Sequence, residues 1–342
     1  MSSRITIEDV AALARVSIKT VSRVLNDEPN VQISTRQRVT EAINRLNFRP
    51  SRVARSLAAR RTFILGLMYD NPCAHYVAKL QAGALRACAS EGYDLLVLPR
   101  SYLNSDTASE IASLYRQSRF DGVILSPPLS DVTALVQGLR QERVPLTLIS
   151  PGGALVESSS VHTNDQEAAR LMTEYLISMG HRDIAFVAGH PDHVAVCTRT
   201  AGFLEAMQAA GLSVPDDFVY AGLNSFESGE QAGAALLAKP ERPTAIFAAN
   251  DEMAAGVCVA ARHRGLDIPR DLSVCGFDDI PIAIQVWPAL TSVTQPIQDM
   301  AEKAAELLIR QIKEPDSAVE HVEIRSELMV RESTYRAPEA DA

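Results

Sequence analysis

The first fifty residues alternate apolar and polar positions with the period of short helices. Residues 6–26 (TIEDVAALARVSIKTVSRVLN) divide at a tight turn; Thr6 and Asp9 form a capping box for the first helix, and Ser17 caps the second. A further capping box at Ser34 opens a third helix, whose apolar positions again recur at helical spacing. The pattern predicts two small helices joined by a turn, followed by a third helix.

Polar side chains occupy the face of the second helix that lies opposite its valines. Lys19, Ser22 and Arg23 share that face. This is the layout of a helix-turn-helix reader of the DNA major groove, although an ordinary amphipathic helix pair has the same periodicity. Charge favours the first interpretation, because residues 1–61 carry 12 Lys+Arg and 5 Asp+Glu (+7) while the other 281 carry 21 and 37 (−16). A basic segment on an acidic body indicates a polyanion-binding module.

Beyond this segment, apolar runs alternate with amphipathic stretches in two series. The predicted strands are 63–69, 93–99, 121–127 and 145–150 in the first series, and 183–189, 243–249 and 271–277 in the second. The predicted helices are 75–90, 106–117, 131–142, 166–179, 197–210, 228–238, 251–264 and 297–312, with a last strand near 324–331. Such alternation predicts βαβ units and doubly wound parallel sheets, and two series predict two lobes.

Several classes of protein do not fit this sequence. It contains no run of apolar residues as long as a membrane span, and its N-terminal residues lack the pattern of a signal peptide, so we expect none. Its five cysteines lack ligand spacing, which fits a reducing cytosol. No G-x-S-x-G, Walker A or G-x-G-x-x-G motif is present. His190 and His193 lie in a loop, and the adjacent Asp278 and Asp279 do not form an acid–base pair that faces one cleft. We expect no catalytic residue, no metal and no cofactor, and hence no enzyme.

A binding site is the better interpretation of the polar residues at the ends of the predicted strands. In doubly wound sheets, ligands bind beyond the carboxyl ends of the strands. These ends supply Ser126, Ser150, Asn250 and Asp278, and Arg199 opens the helix that follows one of them. Each residue also has a purely local explanation, since Asn250 can cap its helix and Arg199 can pair with a core carboxylate.

The sequence resembles the LacI–GalR repressor family over more than nine-tenths of its length. TIEDVAALARVSIKTVSRVLN matches that family's helix-turn-helix, and RPSRVARSLA matches its hinge helix. The resemblance implies an α/β protein with an N-terminal all-α helix-turn-helix headpiece and a two-lobed, doubly wound, periplasmic-binding-protein-like body. The implied boundaries are headpiece 1–48, hinge helix and linker 49–61, body 62–335 (first lobe 62–163 and 294–323, second lobe 164–293 and 324–335) and tail 336–342.

The same resemblance implies roles for individual residues. Base edges would be read by Ile18, Lys19 and Arg23, and phosphates would be held by Thr6, Ser17, Thr20, Ser22, Asn26 and Thr35. The hinge would contribute Ser51, Ala54 and Leu57, with Leu57 inserted into the minor groove. The implied ligand-binding residues are His75, Tyr76, Ser126, Arg199, Asn224, Asn250 and Asp278.

The expected protein is a cytoplasmic, homodimeric repressor of carbohydrate-use genes that binds a palindromic double-stranded operator and responds to a small effector. Members that respond to purines have an arginine where His193 falls and a phenylalanine where Asn224 falls, so a sugar is the expected effector. Two alternatives stay open at this point. One is a solute-binding protein for transport, and the other is a regulator that uses a protein corepressor or activates transcription.

Overall fold

The computed structural model describes residues 5–25, 30–48, 56, 59, 61–71, 73–152 and 157–337. They fall into two compact units, divided in sequence after Thr62. The first unit contains helices α1 (Ile7–Ala14), α2 (Ile18–Leu25) and α3 (Ile33–Leu46). Their inward side chains form one small apolar core in which Val10, Val21 and Val39 are fully buried. The prediction of three helices in this segment is confirmed.

Local hydrogen bonds cap α1 and α2, the two helices on either side of the turn. The backbone N–H and the hydroxyl of Thr6 both donate to Asp9 Oδ2, at 2.7 and 2.9 Å, at the start of α1. Helix α1 ends at Arg15, which adopts a left-handed conformation with φ of 54°. Helix α2 is capped by Ser17, whose Oγ accepts from Thr20 N at 3.1 Å. The capping predictions for α1 and α2 are both confirmed.

The capping box predicted at Ser34 is wrong. Helix α3 already begins at Ile33, and its N-cap is Gln32, whose side chain makes no capping hydrogen bond. The backbone carbonyl of Gln32 accepts from the N–H of Thr35 at 3.0 Å, which draws Ser34 into the first turn.

The second unit consists of alternating strands and helices. In chain order these are β1 (Ile64–Tyr69), α4 (Ala74–Glu91), β2 (Asp94–Pro99), α5 (Thr107–Arg116), β3 (Gly122–Leu125), α6 (Thr133–Gln141), β4 (Leu146–Ile149), β5 (Ser160–Thr163), α7 (Asp165–Ser178), β6 (Ile184–Ala188), α8 (Val194–Ala209), β7 (Val219–Ala221), α9 (Phe226–Leu236), β8 (Ala245–Ala248), α10 (Asp251–His263), β9 (Ser273–Asp278), α11 (Ile282–Gln285), β10 (Thr291–Thr294), α12 (Ile297–Lys313), β11 (His321–Ile324) and β12 (Leu328–Met329).

These strands form two six-stranded sheets, one in each lobe. The first has the order β11-β5-β4-β3-β1-β2 and is parallel throughout, with Leu65 opposite Leu95 on one side and Gly122 on the other. The second has the order β12-β10-β9-β8-β6-β7 and is parallel except for the antiparallel edge strand β12. The predicted fold class, with two doubly wound lobes, is confirmed.

Helices cover both faces of each sheet, as doubly wound architecture requires. In the first lobe, α4 and α12 pack on one face around Leu65 and Leu67, while α5 and α6 pack on the other around Val123 and Leu125. The second lobe has one continuous core in which Phe186 stacks on Phe203 with ring centroids 5.1 Å apart.

The chain passes between the lobes in three places: from β5 to α7, from β10 to α12 and from β11 to β12. Hydrogen bonds hold the crossing segments side by side. Asn164 Oδ1 accepts from Ser326 N at 2.9 Å, and Thr294 Oγ1 accepts from Glu327 N at 2.8 Å. Among the described residues, no helix is both long enough and apolar enough to cross a membrane.

Candidate functional site

Helix α2 of the first unit presents a mixed apolar and basic surface. Val21 and Val24 are buried on one side, whereas Ile18, Lys19 and Arg23 are exposed on the other. Ile18 is 47% exposed, so this large apolar side chain is available for contact with another molecule. The three residues expected to read base edges therefore all lie on the exposed surface of α2.

The predicted phosphate-binding residues lie on or beside the same helices. Ser17 and Thr20 share a hydrogen bond between their hydroxyls at 2.9 Å. A hydroxyl can donate while it accepts, so such an internal contact does not use up its capacity for phosphate. Ser22 and Thr35 are partly exposed. The other four predicted DNA contacts lie outside the described residues: Asn26, Ser51, Ala54 and Leu57.

The second unit contains an open cleft of about 620 Å³, a volume that includes the solvent space at its mouth. It lies at the carboxyl ends of strands from both sheets, the position expected for a ligand site in doubly wound folds. Its lining residues are Asn71, Cys73, Tyr76, Pro127, Ser150, His193, Ala195, Val196, Arg199, Asn224, Asn250, Asp278 and Gln295.

Arg199, in the first turns of α8, is the centre of a buried charge cluster in this cleft. Its Nε donates to Asp165 Oδ2 at 3.2 Å, and its Nη1 donates to Ala249 O at 2.6 Å and lies 3.3 Å from Asp278 Oδ1. The side chains of Arg199, Asp165 and Asp278 are only 8%, 7% and 16% exposed. The guanidinium also lies 3.7 Å above the centre of the Phe277 ring. One cation is therefore shared between two carboxylates.

Asp278 enters this cluster through an unusual backbone conformation at the end of β9. Its φ of 97° is rare for a residue with a side chain. Burial raises the pKa of Asp278 to about 6, although the nearby Arg199 opposes this shift. A strained backbone and a perturbed pKa are both typical of functional sites.

Gln295 links the arginine to this aspartate from the segment that crosses between the lobes. With its amide oriented to satisfy both neighbours, its oxygen accepts from Arg199 Nη2 at 3.0 Å and its nitrogen donates to Asp278 Oδ1 at 3.3 Å. Sequence reasoning missed Gln295, because the pattern predicts no strand between residues 277 and 324 and β10 lies in that interval. Gln295 directly follows β10, so the strand-end rule applies to it once that strand is known.

A second polar group in the cleft is held by internal hydrogen bonds. Asn250 caps α10 by accepting from Met253 N at 2.9 Å, and its amide donates to the carbonyl of Asn224 at 3.1 Å. The amide of Asn224 in turn lies 3.2 Å from His193 Nδ1. Burial lowers the pKa of His193, which favours the neutral ring. The helix cap considered for Asn250 is therefore present, and the residue also lines the cleft.

The structure brings together five of the seven predicted ligand-binding residues: Tyr76, Arg199, Asn224, Asn250 and Asp278. Burial raises the pKa of Tyr76, which keeps its hydroxyl protonated. The structure places neither Ser126 nor His75 in the lining of the cleft. Ser126 is completely buried and donates to Met68 O at 3.4 Å, while the side chain of His75 is exposed to solvent. In the described part of the chain, no group of three or more His, Cys, Asp or Glu is placed to hold a metal ion.

Each of the two units contains a segment that matches a known protein family. Residues 6–51 match the family model described as bacterial regulatory proteins, lacI family, and residues 173–334 match that of the periplasmic binding protein-like domain. Catabolite control protein A of Priestia megaterium is 35% identical over 96% of this chain and 99% of its own. The HTH-type transcriptional repressor PurR of Escherichia coli O139:H28 is 33% identical over 98% of each chain.

Two solved structures are similar over almost the whole length. A complex of the transcriptional regulator CelR with cellobiose has 32% identity and a TM-score of 0.74, covering 96% of this chain and 100% of that one. The lac repressor dimer bound to operator and an anti-inducer has 26% identity and a TM-score of 0.78, covering 97% and 100%.

A helix-turn-helix unit joined to a two-lobed body with a polar cleft defines an effector-controlled, DNA-binding transcriptional regulator. The chain belongs to the lacI family of bacterial regulatory proteins. This membership does not favour a solute-binding protein for transport, because residues 6–51 match the DNA-binding segment of regulators.

Proposed function

We propose that this regulator represses carbohydrate-use genes and that a sugar or sugar derivative, bound between the lobes, controls its affinity for DNA. The observation that carries this proposal is the cleft itself. Hydrogen-bonding groups of Arg199, Asn224 and Asp278 converge there beside the ring of Tyr76. Such a combination of apolar surface and a few placed polar groups suits a small polyhydroxylated ligand. The CelR relative, whose structure contains cellobiose, supports the same class of ligand.

Two positions at which the purine-responsive members of the family have an arginine and a phenylalanine support a sugar over a nucleobase as the effector. His193 and Asn224 occupy these positions and interact with each other through the contact between Asn224 Nδ2 and His193 Nδ1. Neither supplies the cation or the flat apolar platform that the purine-responsive members place there. The proposed ligand contacts are Tyr76, Arg199, Asn224, Asn250, Asp278 and Gln295.

On the DNA side, the proposed regulator acts in the cytoplasm as a homodimer on a palindromic operator. The proposed base contacts are Ile18, Lys19 and Arg23, and the proposed phosphate contacts are Thr6, Ser17, Thr20, Ser22 and Thr35 together with Asn26 and the hinge residues. The lac repressor relative was solved as a dimer bound to its operator, which supports this arrangement.

A thermal-shift screen of the full-length protein against mono- and disaccharides tests the proposal. A ligand that binds the native state raises the melting temperature by linkage. Every sugar that does so should then change the affinity for an operator selected from random DNA, in either direction. Sugars that leave both the melting temperature and operator affinity unchanged, while a purine shifts both, would overturn the assignment of the effector.

A further inference from the structure

The charge cluster in the cleft leaves little capacity for an anionic ligand. Among the described residues of the lining, Arg199 and Asp278 are the charged ones, and Asp165 lies behind them. The guanidinium is therefore already opposed by two carboxylates, at 3.2 and 3.3 Å. A phosphate or carboxylate that approaches Arg199 would add a third negative charge to a site with a single cation.

The hydrogen-bonding groups of Arg199 lead to the same conclusion. A guanidinium has five N–H donors. Nε faces Asp165, Nη1 faces Ala249 O and Asp278, and Nη2 faces Gln295. Bidentate recognition of an oxyanion needs two parallel donors, whereas these contacts leave one. One N–H suits a single hydroxyl or ring oxygen of a neutral ligand.

Two other positive groups near the cleft lie outside its lining, and both contact Asp279. Arg331 Nη2 lies 2.7 Å from Asp279 Oδ1, and Lys79 Nζ donates to Asp279 O at 3.3 Å. The N-terminus of α8 would attract an anion through its free N–H groups. Asp131 occupies that position, because its Oδ2 accepts from Val194 N at 3.4 Å.

We propose that the cleft selects uncharged polyhydroxylated ligands and rejects their phosphorylated and carboxylated counterparts. The inference rests on the proposed function, since it assumes that the cleft is the effector site. The residues that determine this preference are Asp165 and Asp278, which oppose the charge of Arg199 before any ligand enters.

The test is isothermal titration of the full-length protein with matched ligands at pH 7.5. The panel consists of glucose, galactose, ribose and cellobiose, each with its phosphate ester, together with glucuronate and galacturonate. Each neutral sugar that binds should have a Kd at least tenfold lower than that of its charged derivatives. In an Asp278→Asn variant, the ratio of the Kd of the charged derivative to the Kd of the neutral sugar should fall at least threefold. Asp316→Asn makes the same change of net charge at an exposed carboxylate outside the lining, and it should leave this ratio unaltered.

The outcomes separate this inference from the proposed function. A charged derivative that binds as tightly as its parent sugar, or an equal ratio in both variants, overturns the charge selection while leaving a sugar effector in place. A panel in which no sugar and no derivative binds overturns both proposals, because the cleft would then not be a sugar site.

Discussion

Replacing Arg199 by alanine tests whether this guanidinium is a structural counter-ion. The change leaves the carboxylates of Asp165 and Asp278 inside the protein without the cation that both now contact. Removing one partner of a buried ion pair costs about 3–5 kcal/mol. Since solvent reaches so little of the three side chains, we expect the free energy of unfolding to fall by about that amount at pH 7.5.

A second substitution identifies the origin of the loss. Asp165→Asn alone leaves Arg199 paired with Asp278, so we expect it to cost about 1 kcal/mol. In the double variant Arg199→Ala/Asp165→Asn, one uncompensated charge has been removed. The double variant should therefore be more stable than the sum of the two single effects by about 1–3 kcal/mol.

The assay is urea unfolding of the full-length protein followed by far-ultraviolet circular dichroism, with a constant m-value as the condition for comparing midpoints. Arg270→Ala is the matched control, because Arg270 is 75% exposed and pairs with Asp267 at 3.0 Å on the surface. Such pairs contribute about 1 kcal/mol or less. If Arg199→Ala costs no more than this control, or if the double variant shows simple additivity, the charge cluster does not hold the site together.

Three further substitutions test other parts of the structure. Burial raises the pKa of Asp131 to about 6, so this group favours the folded state below about pH 4 and loses that contribution as the pH rises through 6. Relative to wild type, Asp131→Asn should therefore gain about 2 kcal/mol of unfolding free energy between pH 4.5 and 7.5, whereas a difference that stays constant with pH would contradict this reasoning. Arg23→Ala should cost about 1–3 kcal/mol of specific operator binding and relax one base position in binding to randomised sites, whereas an equal loss on all sequences would indicate a phosphate contact. Gly83→Ala would place a Cβ atom 1.9 Å from Gln298 O, where α4 meets α12. We expect this contact to destabilise the protein by about 2 kcal/mol and to lower the urea midpoint, whereas an unchanged midpoint would show that the two helices move apart at no cost.

The elements that sequence reasoning predicted well are those with long or strongly apolar patterns. The buried strands β1 and β9 lie at their predicted positions within one or two residues. The short strands β5 and β7 were missed because their sequences, SVHT and VYA, are too short to show a period. Their pairing is decided by the neighbouring strands β4 and β6, which a local pattern does not report.

The candidate site was predictable in its positions but not in its contacts. Arg199 and Asp278 were found from motif resemblance and from the strand-end rule. That Arg199 also faces Asp165 depends on packing of α7 against α8, which no local pattern shows. Ser126 follows a strand as a ligand residue should, yet its hydroxyl turns inward to Met68 O. A strand end gives the neighbourhood of a site, and side-chain rotamers then decide which residues face the cleft.

The contacts between the lobes indicate how a ligand in the cleft can influence the body. Hydrogen bonds join the lobes from Tyr102 Oη to Asp192 Oδ2 at 3.0 Å, from Lys79 Nζ to Asp279 O at 3.3 Å and from Val194 N to Asp131 Oδ2 at 3.4 Å. At about 0.5–1.5 kcal/mol each, three such bonds stabilise the closed arrangement of the lobes by about 1.5–4.5 kcal/mol. A ligand shifts such an equilibrium only by its differential affinity for the two states, and allosteric coupling energies are typically about 1–3 kcal/mol. Opening of the lobes is therefore a change of the size that a small ligand can control. The hydrogen bonds of Asn164 and Thr294 keep the crossing segments side by side, an arrangement suited to hinge motion between the lobes.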